Sequence, residues 1–109
     1  MSTKKDTILF ILKKLGNTSR FTTRAMFGEY ALYADNKVVG LVCDDLLYVK
    51  NCSASSFLEK TCEKDSPYPG AKLYYVVDEE KLDMLVALPN ILLMIAKSLP
   101  TKHKQIENR

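Results

Sequence analysis

Glu29-Tyr-Ala-Leu-Tyr-Ala34, Lys37-Val-Val-Gly-Leu-Val-Cys43 and Leu46-Leu-Tyr-Val-Lys50 are three short runs rich in Val, Leu and Tyr, separated by Asp35-Asn36 and Asp44-Asp45. Runs of this length bounded by turn residues read as strands. Asn and Asp tolerate the positive φ of two-residue turns, so the stretch is predicted to be an antiparallel meander. Tyr30, Leu32 and Ala34 share one side of the first run and Ala31 and Tyr33 the other, because strand side chains alternate. Both faces of the sheet are therefore apolar, and Tyr30, Tyr33, Tyr48, Tyr74 and Tyr75 are expected to pack as core rings with their hydroxyls at the rim. Gly28, at the head of the first run, suggests a bulge or a close backbone approach.

Upstream of the meander, Ile8, Ile11, Leu12 and Leu15 recur at helical spacing and predict an amphipathic helix over 4–15, with Thr3 as its cap and Gly16 as its stop. Phe10 falls among Asp6, Lys13 and Lys14 on the polar side, so it is expected to be partly exposed and is a candidate contact residue. Downstream, Ser53 is expected to cap a helix over 54–64, Asp65-Ser-Pro-Tyr-Pro-Gly70 reads as a loop, and Lys72-Leu-Tyr-Tyr-Val-Val77 as a strand. Asp78 with Glu79 and Glu80 starts another helix, and Pro89 fits the first turn of a last one over 90–99.

That last helix is apolar almost all round, so it must be deeply buried or cover another chain. Leu92, Leu93 and Leu99, together with Phe10, form the candidate partner surface, and a homodimer through this helix is one expectation. The predicted architecture is α+β in the order α-β-β-β-α-β-α-α. One domain spans residues 1–99, followed by a basic polar tail over 100–109.

With 109 residues, 47% hydrophobic and 27% charged, the composition excludes a wholly disordered chain. Charge is uneven: residues 1–24 carry six cations against Asp6, residues 25–96 six against eleven carboxylates, and residues 97–109 four against Glu107. Cys43, Cys52 and Cys62 show no C-x-x-C spacing and cannot all pair, which points to a reducing cytoplasm and to apolar filler roles. The single histidine, His103, lies in the tail, so neither a zinc site nor a Cys-His or Ser-His pair is expected. Gly28, Gly40 and Gly70 stand alone, without a phosphate-loop pattern. No run approaches the length of a bilayer span.

At Arg24-Ala-Met-Phe-Gly-Glu-Tyr-Ala-Leu-Tyr33 the sequence closely resembles the N-terminal domain of the TfoX (Sxy) family of competence regulators. The pattern R-x-M-F-G-x-Y is met by Arg24, Met26, Phe27, Gly28 and Tyr30, and L-Y-x-K by Leu47, Tyr48 and Lys50. Phe57, Pro67-Tyr68-Pro69, Gly70 with Lys72, and Tyr74-Tyr75 with Val77 follow in the same order, so the resemblance spans residues 5 to 98. The stretch Leu82-Asp-Met-Leu-Val-Ala-Leu-Pro89 departs from it, lacking the acidic D-P step before the family's last helix.

The resemblance implies a two-layer α+β fold, a curved antiparallel sheet with helices packed on it, similar to secretion-chaperone-like domains. It implies a stand-alone version without the family's C-terminal domain. The function implied is that of a non-enzymatic transcriptional co-regulator linked to DNA-uptake genes, acting through a protein partner such as the cyclic-AMP receptor protein or RNA polymerase. No cofactor and no metal are implied, and direct sequence-specific DNA reading is not expected. The motif residues Arg24, Met26, Phe27, Gly28, Tyr30, Tyr48, Gly70, Lys72 and Tyr75 are expected to be structural: Gly28 permits a bend, Phe27 fills the core, and Arg24 pairs with Glu29 or a nearby carboxylate.

Two other readings stay open. One is a small-molecule sensor or enzyme with a pocket between sheet and helices, lined by Tyr33, Tyr75 and Cys43. The other is a salt-sensitive, nonspecific nucleic-acid binder using Lys4, Lys5, Lys13, Lys14 and the tail.

Overall fold

A computed structural model describes residues 3–16 and 19–100. Three two-residue turns shape its sheet: Phe27-Gly28 (φ 51° and 85°), Asp35-Asn36 (49° and 69°) and Asp44-Asp45 (53° and 65°). Two successive positive φ values give the turn whose twist matches that of the flanking strands. These turns join β1 (Phe21–Met26), β2 (Glu29–Ala34), β3 (Lys37–Cys43) and β4 (Leu46–Val49). β5 (Lys64–Asp65) and β6 (Tyr74–Val77) complete an antiparallel sheet in the order β1-β2-β3-β4-β6-β5.

The predicted meander is present, but β1 and β5 are additional to it. Gly28 sits in a hairpin turn rather than a bulge, because β1 pairs back onto β2 through Met26 and Glu29. The irregularity falls instead between Leu32 and Tyr33, where pairing jumps from Gly40 to Val38 and leaves Val39 as the extra residue. At Gly40 a Cβ would lie 2.5 Å from the Tyr48 carbonyl oxygen, so a side chain there would push β3 and β4 apart. The last predicted strand begins at Tyr74, two residues later than its sequence suggests.

α1 (Lys5–Leu15) ends at Gly16 in the left-handed conformation, whose N–H returns to the Leu12 carbonyl at 3.1 Å. Its cap is not Thr3. Asp45, from the β3–β4 turn, accepts from the Lys4 backbone N–H (2.9 Å) and the Thr7 hydroxyl (2.8 Å) and thereby caps the helix across the fold. These bonds, the Lys4 N–H first, hold the Asp45 carboxyl below the usual range. Thr3 is buried; its hydroxyl lies 2.6 Å from Glu29 Oε1 and accepts from the Asp45 N–H at 3.2 Å.

The helix predicted over 54–64 is a 3₁₀ helix, Ser53–Lys60, with Cys52 rather than Ser53 at its cap position. Ser55 explains the change. Its buried hydroxyl donates to the Lys50 carbonyl (2.6 Å) and accepts from the Cys52 N–H (3.0 Å), local bonds that compete with an α-helical ladder. α2 (Glu79–Met84) is capped by Asp78, whose carboxylate accepts from the Lys81 N–H at 2.9 Å. α3 (Leu88–Ser98) carries Pro89 in its first turn, and Lys37 Nζ donates to the Ala96 and Leu99 carbonyls at its end (2.9 and 3.0 Å), where a cation complements the helix dipole.

Two apolar clusters lie on opposite sides of the sheet. Ile11 and Leu15 of α1, Leu58 of the 3₁₀ helix, Leu82 of α2 and Leu88, Leu92 and Ile95 of α3 pack against Leu32, Val42, Leu47, Val49, Tyr75 and Val77. The second cluster is Ala31, Leu41, Cys43 and Tyr48 with Tyr33, Val38, Leu46, Tyr74 and Val76 around it, and no described helix contributes a residue to it. The result is a two-layer α+β fold, with helices on one face of an antiparallel sheet. The tail beyond Pro100, His103 included, lies outside the described residues.

Candidate interaction surfaces

The motif residues around the first hairpin occupy different environments. Arg24 is exposed, with its guanidinium 5.9 Å from the centre of the Tyr33 ring. It does not pair with Glu29, whose carboxylate faces the Thr3 hydroxyl and accepts the Asp44 N–H at 3.0 Å. Phe27 does not fill the core: it is 102% exposed, and Met26 beside it is 44% exposed. The hairpin turn places Phe27 at the end of the strands, and no described helix covers it.

Of the remaining motif residues, Tyr30 is half-buried against the helix-side cluster and Tyr48 belongs to the opposite one. Tyr75 is buried beneath the helices, and its hydroxyl donates to Glu59 Oε1 at 2.8 Å. Lys64 Nζ, 2.9 Å from the same oxygen, also lies over the Tyr75 ring. Burial first, then this bond, push the Tyr75 phenol up to about 12. Gly70 has φ of 87° in the loop before β6, and Lys72 is exposed beside it.

The partner surface expected from the last helix is not continuous. Leu92 is 0% exposed and belongs to the core, because the sheet-facing stripe of α3 runs through Leu88, Leu92 and Ile95. Leu93 and Leu99 are half-buried, and Phe10 is half-buried with Lys14 Nζ 5.5 Å from its ring centre. Phe10, Leu93 and Leu99 line three separate clefts.

Nor does a single pocket gather Tyr33, Tyr75 and Cys43. Tyr75 packs under the helices, whereas Tyr33 and Cys43 are on the other side of the sheet. The Cys43 thiol is pushed up by burial and by the neighbouring Glu29 and Asp44 carboxylates, which leaves it a poor nucleophile at neutral pH. Among the lysines of the basic N-terminal segment, Lys14 is ion-paired with Asp83. Among the described residues no His, Cys, Asp and Glu cluster could hold a metal, and no helix is long and apolar enough to cross a membrane.

Residues 12–91 match the TfoX N-terminal domain, from the last turn of α1 to the first turn of α3. The chain belongs to the TfoX N-terminal domain family. The match contains both hairpin turns flanking β2, the 3₁₀ helix and the Pro67-to-Leu73 loop. A protein of Spirochaeta aurantia described as an uncharacterized 12.7 kDa protein in the trpE 5′ region is 40% identical over 79 residues, covering 72% of this chain and 69% of that protein. The TfoX N-terminal domain is non-catalytic and is associated with competence regulation and with regulatory roles exercised through proteins.

Two features of this TfoX domain escaped the sequence reading. The exposure of Phe27 was signalled by the Phe-Gly pair, since glycine suits the second position of a two-residue turn. The convergence of Lys50, Tyr68, Lys72 and Tyr74 on one cleft has no local signal, because the residues come from two segments that the β4–β6 pairing brings together.

Proposed function

We propose that this chain is a regulatory adaptor in transcription control that binds a protein partner through the Met26-Phe27 tip of its first hairpin. One observation carries this reading: Phe27 is fully exposed and held at φ 51°. A bulky residue in the left-handed region costs on the order of 1 kcal/mol or more, and such strain concentrates at contact and switch sites. Neither packing nor turn preference accounts for a phenylalanine there, whereas aromatic anchors are enriched in protein interfaces.

Family resemblance points to the cyclic-AMP receptor protein or RNA polymerase as the partner. Self-association through α3 is left with Leu93, Leu99 and the exposed Met94, since Leu92 is in the core. Residues 1–99 act as one domain. The irregularity at Leu32–Tyr33 supports a curved, secretion-chaperone-like sheet, because bulges bend strands. Three free cysteines support a cytoplasmic setting.

The test is binding of the purified chain to the cyclic-AMP receptor protein and to RNA polymerase, with and without nuclease. Phe27→Asn is expected to weaken the complex by about tenfold or more while raising the melting point, since Asn-Gly is the favoured pair for this turn. Binding that survives Phe27→Asn unchanged, or disappears with nuclease, overturns the reading.

A further inference from the structure

A cleft of about 500 Å³ lies between the end of β4 and the loop before β6, lined by Lys50, Asn51, Tyr68, Gly70, Lys72 and Tyr74 among others. Its volume falls within the range of small-molecule sites, roughly 300–1,000 Å³. Its charge is one-sided: two lysines line it and no carboxylate does. Two other charged clefts are mixed, with Lys4 facing Asp6, Asp45 and Glu79 in one and Lys64 and Lys81 facing Glu63, Asp65 and Asp78 in another. A smaller cleft of about 260 Å³ that Lys50 also lines has Lys37 as its other cation and no carboxylate, but there the Lys37 amine is taken up by the end of α3.

The two ammonium groups are also unengaged. Lys14, Arg20, Lys37 and Lys64 each hold a carboxylate or a helix end, but neither Lys50 nor Lys72 has a side-chain partner among the described residues. Two amines lining one cleft without a counter-charge favour an anion there.

The cleft is preformed. The buried Ser55 hydroxyl holds the Lys50 carbonyl, and the loop is braced by the Ser66 hydroxyl donating to the Ala71 carbonyl (2.9 Å) and the Ala71 N–H donating to the Tyr68 carbonyl (3.1 Å). Pro67 and Pro69 stiffen the same loop. Tyr68 leaves 57% of its surface free at the rim, available for stacking. Burial first, then the neighbouring Tyr68 phenol, push the Tyr74 hydroxyl up, so it is a neutral donor at physiological pH.

We propose that this cleft binds a nucleoside phosphate, its phosphate held by Lys50 and Lys72 and its base stacked on Tyr68. A free mononucleotide and the phosphorylated end of a single strand present this same chemistry. The inference does not rest on the adaptor reading, since the cleft and the Phe27 tip share no residue.

The test is an NMR titration of the ¹⁵N-labelled chain with adenosine 5′-monophosphate, uridine 5′-monophosphate, adenosine, inorganic phosphate and a 5′-phosphorylated oligothymidylate. Nucleotide is expected to shift the amides of residues 50–51 and 68–74, and to bind at least about tenfold more tightly than adenosine or phosphate, since only it engages both lysines and ring. Tighter binding of the mononucleotides assigns the free ligand; tighter binding of the oligonucleotide assigns the strand end. Lys50→Gln and Lys72→Gln, singly and together, and Tyr68→Ala are each expected to weaken binding about tenfold with the melting point retained. Lys72 and Tyr68 are exposed, so those two variants keep the test valid if Lys50→Gln unfolds. Shifts confined to other surfaces, equal affinity for inorganic phosphate or adenosine, or variants that bind like the parent overturn the proposal.

Discussion

Val76 and Val77 are neighbours in β6 with the same side chain, yet Val77 is 1% exposed beneath the helices while Val76 is half-buried in a cluster to which no described helix contributes a residue. The contrast runs across the whole sheet. Leu32, Val42, Leu47 and Val77 pack with residues of α1, α2 and α3, while Ala31, Leu41 and Tyr48, buried as well, pack with Val76 and other strand residues. Equal hydropathy on two faces therefore does not imply the same covering layer. What separates them is which side the connections from β4 to β6 and from β6 to α3 place their helices on.

The sharpest way to break this comparison is at the helix layer. Leu92→Ala is expected to cost about 3 kcal/mol, as large-to-small changes in packed cores do, measured by denaturant unfolding. A loss below about 1 kcal/mol would mean that α3 is peripheral and that its apolar face serves another chain.

The two valines offer a more direct contrast. Val77→Thr buries a hydroxyl and is expected to cost about 2 kcal/mol, whereas Val76→Thr should stay within about 0.5 kcal/mol. Equal losses would show that the second face is also closed in solution. Smaller still is the effect at Tyr75, where Tyr75→Phe removes the bond to Glu59 and is expected to cost about 1 kcal/mol.

That variant also changes the pH response. A phenol raised from 10 to about 12 on folding contributes stability that is complete below pH 10 and is lost as pH rises through about 12. Thermal melts of Tyr75→Phe should therefore fall less steeply over this interval than those of the parent, and parallel curves would refute the coupling. At the acid end, Asp35, Asp45 and Glu59 are all held below their ordinary values of 3.8, 3.8 and 4.5, so their contribution is present above those values and is lost as pH falls through the lowered ones.

Much of the fold was legible because it is written in local patterns. The Asp-Asn and Asp-Asp turns, the spacing of Ile8, Ile11 and Leu15, Gly16 as a stop and Asp78 as a cap all express backbone preferences of a few adjacent residues. β1 was missed because Phe21-Thr-Thr-Arg-Ala-Met26 is exposed along most of its length and is a strand through its backbone pairing with β2. β5 was missed for the same reason, being two charged residues paired to Tyr74 and Tyr75. The candidate sites were less legible. The motif containing Phe27 was visible, but its direction was not: hydrophobicity argued for the core, and the turn overruled it.

The sequence by itself determined the meander, the Gly16 stop and the Asp78 cap, the apolar character of both sheet faces and the family. Tertiary structure decided which face the helices cover, that Asp45 rather than Thr3 caps α1, that Leu92 is core, and that Lys50 and Lys72 share one cleft. The physical reason is range. Turn geometry and helix capping are set by energies among residues a few positions apart, whereas burial and charge convergence depend on chain crossings that no short window contains.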